Sequence, residues 1–128
     1  MSDTLVAGHA LGLLAAAHTL LDDLLTVDRT GDTDDEVLAV LRETERLRRR
    51  LDAVDYRGIH EAERRGLPHA HGCKTTGRLL EQMLRVNSTT AHDRVKAAAA
   101  AGPRTGLTGE ALGPVFPHVA AGQAQGVV

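Results

Sequence analysis

Apolar residues recur at three- and four-residue spacing along most of the chain, and the first such run is the densest. In "LVAGHALGLLAAAHTLLDDLL" the spacing places Leu11, Leu14, His18, Leu21 and Leu25 on one stripe, the signature of a helix turned toward a partner helix. His9, His18, Asp22 and Asp23 interrupt the run, and Asp3 stands where an export signal carries its basic start. The stretch therefore predicts an amphipathic helix, neither an export signal nor a membrane span.

The next boundary is polar. "RTGDTDDE" reads as a loop closing on a helix start, with Thr33 as N-cap, Glu36 three residues on, and Asp34 and Asp35 in the first turn, which is a capping box at the positive end of a helix. A second helix is predicted from about Asp34 to Arg65, with Val37, Val40, Leu41, Thr44, Leu47, Leu51, Val54, Gly58 and Ala62 along its apolar face. "RRGLPHAHGC" ends it, because Gly66 and Pro68 do not continue a helix comfortably. A third helix covers about Thr76 to Arg85. Asn87 or Ser88 caps a fourth, about Thr89 to Ala101, which Gly102 and Pro103 terminate. A short last helix is placed near Ala111 to Ala121, although Pro114 and Pro117 fall inside it.

Composition agrees with this pattern. Of the 42% apolar residues most are Ala and Leu, Ile occurs once, and Tyr56 and Phe116 are the only aromatics. Strand formers are that scarce, so the expectation is an all-α fold of four to five helices in a single domain over residues 1–128. The fold would include two long N-terminal helices and a helix-turn-helix-like pair within residues 74–102. So few rings also argue against single-stranded nucleic acid held by base stacking. Cys73 is the only cysteine, which excludes an internal disulfide framework and fits a reducing cytoplasm.

Charge is distributed unevenly beneath a net of −2. Residues 1–41 hold Arg29 against eight acids, whereas residues 42–104 hold fourteen Lys or Arg against eight acids, an excess of +6. A polyanion would meet the middle of the chain. There, at about 100° per residue, Arg42, Arg46, Arg49, Arg50, Arg57 and Arg64 fall on one arc of the second helix opposite its apolar stripe. One reading is a ridge for phosphates; the other is a solvated face neutralised by neighbours such as Glu45 and Glu61.

"LLEQMLRVNSTTAHDRVKAAAA" carries the sharper candidate. Leu79, Leu80, Met83 and Leu84 supply the buried side of one helix, Val86 plugs the turn, and Ala91, Val95 and Ala98 give the next helix a close-packing face, as a helix-turn-helix requires. Exposed Thr89, Thr90, Asp93, Arg94 and Lys96 would then face a groove. Arg85 stands where such turns often place Gly. The candidate DNA-binding set is Arg78, Arg85, Ser88, Thr89, Thr90, Arg94 and Lys96; the alternative is two packed helices and no more.

"PHAHGC" alternates His69, His71 and Cys73, three possible zinc ligands where structural zinc takes four and no second cluster supplies the rest. The other reading is a loop with unrelated histidines, and no metal or other cofactor is expected. No Gly-rich phosphate loop, nucleophile elbow or His-Glu-x-x-His occurs. The residues point to a binding or interaction module with no small-molecule substrate, not to an enzyme.

Three segments in order, "LRETERLRRRLDAVDYRGIHEAERRG", "TTGRLLEQMLRVNSTTAHDRVKAAAAAGPR" and "LTGEALGPVFPHVAAGQ", resemble the actinobacterial 13E12 repeat family, a domain of unknown function numbered 222. The resemblance covers about residues 40–128. It implies a DNA-metabolism setting, since longer members often carry an HNH endonuclease domain downstream. Nothing in this chain matches an HNH metal-binding or general-base histidine, so no catalytic residue carries over. It also implies an N-terminal portion of a longer architecture, with "GQAQGVV" leaving apolar surface beside the last helix uncovered.

Two functions from different classes follow. One is a module that binds duplex DNA weakly through the helix-turn-helix-like pair. The other is an interaction or oligomerisation module whose first two helices pair with another chain, most simply a second copy. The length of the second helix favours self-association, because roughly 48 Å of helix exceeds the diameter of about 36 Å expected of a compact domain this size unless Gly58 breaks it.

Overall fold

The computed structural model describes residues 8–101, 104–105, 111–112 and 117–126. The described residues form α1 (His9–Thr26), α2 (Asp34–Arg64), α3 (Leu67–Ala70), α4 (Thr76–Leu84), α5 (Ser88–Ala101), β1 (Arg104–Thr105), β2 (Ala111–Leu112) and α6 (Pro117–Gln125). The fold class is all-α, with one two-residue antiparallel pair in which Arg104 faces Leu112 and Thr105 faces Ala111. The chain divides into two compact units, Met1–Val37 and Leu38–Val128.

In the first unit α1 follows Gly8, whose left-handed φ of 77° is open to glycine at no steric cost. It ends where the Val27 N–H reaches back to the Asp23 carbonyl at 2.9 Å. No residue of α1 is buried. The leucines on and beside its expected stripe are exposed: Leu11 is 72% and Leu25 83% exposed, and Leu13, Leu20 and Leu24 widen the exposed surface. The connector is held by local bonds. Asp28 Oδ1 accepts from the Thr30 N–H and hydroxyl at 3.0 and 2.8 Å, and Arg29 meets Asp32 at 3.4 Å. The capping box forms as expected, Glu36 N–H donating to Thr33 Oγ1 at 3.2 Å and Thr33 N–H to Glu36 Oε1 at 3.1 Å.

Helix α2 runs unbroken through Gly58. Within the second unit its core contact differs from the expected stripe. Ile59 is buried and clusters with Leu80, Ala91 and Ala98, flanked by Tyr56, Val86 and Val95, while Leu41, Leu47, Leu51 and Val54 stay 43–62% exposed. The physical reason is rotation: Ile59 lies about 80–140° and Tyr56 about 140–180° around the helix from the Leu47–Leu51–Val54 line, and α4 and α5 pack on the Ile59 side. On α4, Leu79 and Leu80 are buried, but Met83 is 61% and Leu84 42% exposed, contrary to expectation. Both lie in the last turn of α4, one turn beyond the buried Leu79 and Leu80.

Two other expectations are corrected. "LPHA" forms the short α3 in place of a plain loop, because Gly66 adopts φ 66° and Pro68 occupies the helix start, where its missing N–H is harmless. The last helix begins at Pro117, not near Ala111; residues 111–112 pair as a strand instead, since a helix through Pro117 would lose a backbone bond and clash. Pro114, Val127 and Val128 lie outside the described residues.

Candidate nucleic-acid interface

The α4–α5 pair is joined by Arg85, Val86 and Asn87. Thr75 caps α4, its hydroxyl accepting from the Arg78 N–H at 3.1 Å, and Thr76 ties the same end to α2 through a 2.8 Å bond to Glu63. Arg85 closes α4 in the left-handed region at φ 57°, its N–H bonded to the Glu81 carbonyl at 3.0 Å. A side chain there costs about 1–2 kcal/mol over glycine. Asn87 begins α5, its Oδ1 accepting from the Thr90 N–H at 2.8 Å, so it is Asn87 and not Ser88 that supplies the cap. Ala91, fully buried, and Ala98, 4% exposed, bring α5 close against Leu80 and Ile59.

This packing sorts the candidate residues. Arg78, Arg85, Ser88, Thr89 and Lys96 are exposed. Thr90 and Arg94 are half-buried and do not face outward as expected. Arg94 turns inward to Asp55 of α2 at 3.9 Å, where burial pushes the Asp55 carboxyl above its ordinary range and Arg94 partly offsets that. The placement follows from spacing, since Arg94 precedes Val95 on the side of α5 that carries Ala91 and Ala98. The outward cations are then Arg78, which lies 3.7 Å from Glu81, Arg85 and Lys96. Exposed Asp93 opposes them.

The arginine ridge of α2 is largely engaged. Arg46 Nε donates to the Gln125 carbonyl at 2.7 Å and Arg50 Nε to the Ala124 carbonyl at 3.2 Å, so two guanidinium groups satisfy the last carbonyls of α6 at its negative end. Gly126 makes that approach possible. Its φ is 81°, and a Cβ there would collide with the Arg46 side chain and its backbone carbonyl. Arg48 and Arg49 pair with Glu45 at 3.1 and 3.4 Å. Hydrogen bonds from Arg64, then Arg65, hold the Glu61 carboxyl down to about 2. Arg42 and Arg57 are exposed. Sequence reasoning missed the carbonyl role of Arg46 and Arg50. The terminal glycine of "AAGQAQG" was a C-cap signal, but its partner on α2 is a tertiary contact that no local pattern encodes.

At "PHAHGC", His69 and His71 are exposed and Cys73 is buried. The Cys73 thiol donates to Gln82 Oε1 at 3.2 Å. Among the described residues no three His, Cys, Asp or Glu side chains gather as metal ligands, and no helix is long and apolar enough to cross a membrane.

The chain is 32% identical over 114 residues to the uncharacterized protein MT1160 of Mycobacterium tuberculosis (strain CDC 1551 / Oshkosh), covering 89% of this chain and 27% of that protein. It is 34% identical over 108 residues to the uncharacterized protein Rv1702cMb1728c of Mycobacterium tuberculosis (strain ATCC 25618 / H37Rv), covering 84% and 24%. The chain thus spans about a quarter of the length of these relatives. No solved structure matches it. Residues 38–128 match the family described as Domain of unknown function (DUF222), which takes in the second unit whole, and the chain belongs to that family.

Proposed function

We propose that the second unit is a non-catalytic binding module whose α4–α5 pair contacts duplex DNA weakly. The observation that carries this reading is the outward surface of the pair, where Arg85, Ser88, Thr89 and Lys96 are exposed while Leu80, Ala91 and Ala98 fix the two helices. The exposed α5 start offers free N–H groups and a positive dipole end to phosphate, and the short Ser88 and Thr89 side chains permit close approach. Arg85 and Lys96 supply phosphate contacts. Asp93 and the Arg78–Glu81 pair keep the affinity low. In longer relatives such a module would deliver a downstream domain to DNA, and the buried thiol of Cys73 suits a reducing cytoplasm.

Duplex titration at two salt concentrations tests this. Binding is expected to be weak and steeply salt-dependent, with Lys96→Ala lowering the log–log salt slope by about 0.9. Arg94→Ala is the packing control, because Arg94 engages Asp55. Absence of binding at low salt, or a slope unchanged in Lys96→Ala, overturns the reading. The alternative is then an interaction module with no DNA contact, which the exposed leucines of α1 and α2 favour.

A further inference from the structure

The outer face of α5 holds a group that phosphate contact does not explain. Its exposed residues are Ser88, Thr89, His92, Asp93, Lys96 and Ala99. At about 100° per residue they share an arc of about 140°, opposite the buried Ala91 and Ala98. Lys96 stands near the middle of the arc, with His92 about 40° to one side and Asp93 about 60° to the other. Neither the Asp93 carboxylate nor the His92 ring has a hydrogen bond or ion pair among the described residues. We propose that these two side chains read base edges in the major groove and select G·C pairs, Asp93 accepting from cytosine and His92 donating to guanine. The proposal rests on the duplex reading of the α4–α5 pair and adds a sequence preference to it.

The carboxylate is the informative member. A negative side chain beside the phosphate backbone weakens binding, and Asp93 lies on the same exposed arc as Lys96. That placement carries a gain only where the duplex presents donors, which it does at base edges and not at phosphates. Cytosine fits best. Its major-groove edge offers the N4 amino group, whereas adenine sets the N7 acceptor beside its N6 donor and so repels a carboxylate. The His92 ring has the complementary preference. Guanine presents two acceptors, N7 and O6, on that edge, and one imidazole N–H suffices to reach either.

One groove accommodates both contacts. Ser88 to Lys96 spans about 12 Å of helix, the same as the roughly 12 Å width of the major groove. Ser88 and Thr89 are short, so the start of α5 approaches the backbone first, and His92 and Asp93 follow one turn further in. The rotation of α5 is fixed as well, because Ala91 and Ala98 pack closely with Leu80 and Ile59 and hold the opposite arc outward.

Sequence enrichment by the full chain at low salt is the test, from a pool of duplexes randomised over about one helical turn, roughly ten base pairs. Wild type is expected to favour a G·C pair by about tenfold at each contacted position. Asp93→Asn should move the preferred base at one position from cytosine to adenine, since an amide both accepts and donates. It should also raise the mean affinity for the pool by removing a repulsion. His92→Ala should lose about tenfold of guanine preference at a neighbouring position and leave the cytosine position as it was. Both side chains are exposed, so neither change disturbs the core. Lys96→Ala should weaken every sequence alike and keep the preference, which separates a lost phosphate contact from lost base reading. If Asp93→Asn raises affinity equally for all sequences, the carboxylate only repels; the proposal is overturned and the duplex reading stands. Enrichment unchanged in both variants also overturns it. Wild type that binds no duplex at low salt overturns the duplex reading and this proposal with it.

Discussion

The first and fifth helices make opposite use of alanine and leucine. Helix α1, "HALGLLAAAHTLLDDLLT", is rich in large apolar side chains, yet none of its residues is buried. Helix α5, "STTAHDRVKAAAAA", has Val95 as its only large aliphatic, yet Ala91, Ala98 and Ala101 are buried. Burial on α5 comes from closeness: alanines let its backbone approach Leu80 and Ile59, and many small contacts sum to a core. Bulk on α1 finds no such groove among the described residues of its unit. Hydrophobicity therefore marks a surface that seeks cover, whereas small residues opposite large ones mark a surface already covered.

The sharpest way to break this contrast is to truncate a leucine in each region. Leu80→Ala, at a side chain 4% exposed, should destabilise the second unit by about 2–4 kcal/mol. Leu24→Ala, at 58% exposure, should change the stability of dilute protein by less than about 0.5 kcal/mol. Urea denaturation of both variants decides it, and equal losses would mean that α1 is packed after all. Next in size is Gly126→Ala, which should cost about 2 kcal/mol through its left-handed φ and the collision with Arg46. A neutral result would show that α6 does not depend on the Arg46 and Arg50 contacts. Arg85→Gly should act in the opposite direction. Releasing the φ of 57° is expected to stabilise the α4–α5 turn by about 0.5–1 kcal/mol; if the pair binds DNA as proposed, the change also removes a phosphate contact, so thermal stability rises as duplex affinity falls.

Local signals were the legible part of this fold. The capping box at Thr33 and Glu36, the helix from Asp34, the three-residue turn after Leu84 and the burial of Leu80, Ala91 and Ala98 all follow from spacing and cap chemistry within a few residues. What failed depends on partners distant in sequence. The stripe of α2 was visible, but which side of that helix meets α4 and α5 was not, because Ile59 alone on its turn carries less periodic weight than Leu47, Leu51 and Val54. From sequence the α2 arginines read as a phosphate ridge or as a solvated face, and neither reading foresaw that the carbonyls of Ala124 and Gln125 engage Arg50 and Arg46. Arg94 is the exception: its place beside Val95 on the inner arc was readable, and charge alone had suggested the groove.

The smallest expected effects separate the two regions by the sign of their response to acid. In the first unit the Glu36 carboxyl is held below its ordinary range by the Thr33 N–H and hydroxyl. A lowered folded pKa means that its support of the α2 start is complete above the unfolded value and is lost as pH falls through the folded one. In the second unit Asp55 is raised by burial, with Arg94 lowering it in part and Asp52 raising it. Its contribution runs the other way: it favours the fold when protonated and loses that advantage as pH rises through the folded value. Carboxyl carbon shifts followed by NMR through acid titration should therefore show Glu36 with a midpoint below, and Asp55 with a midpoint above, the ordinary value for its side chain. Arg94→Ala should move Asp55 further up and leave Glu36 unmoved, since the two carboxylates share no partner. Asp55 titrating at or below its ordinary value would mean that α5 does not shield it. The packed second unit would then be as open at that point as the leucine face of α1.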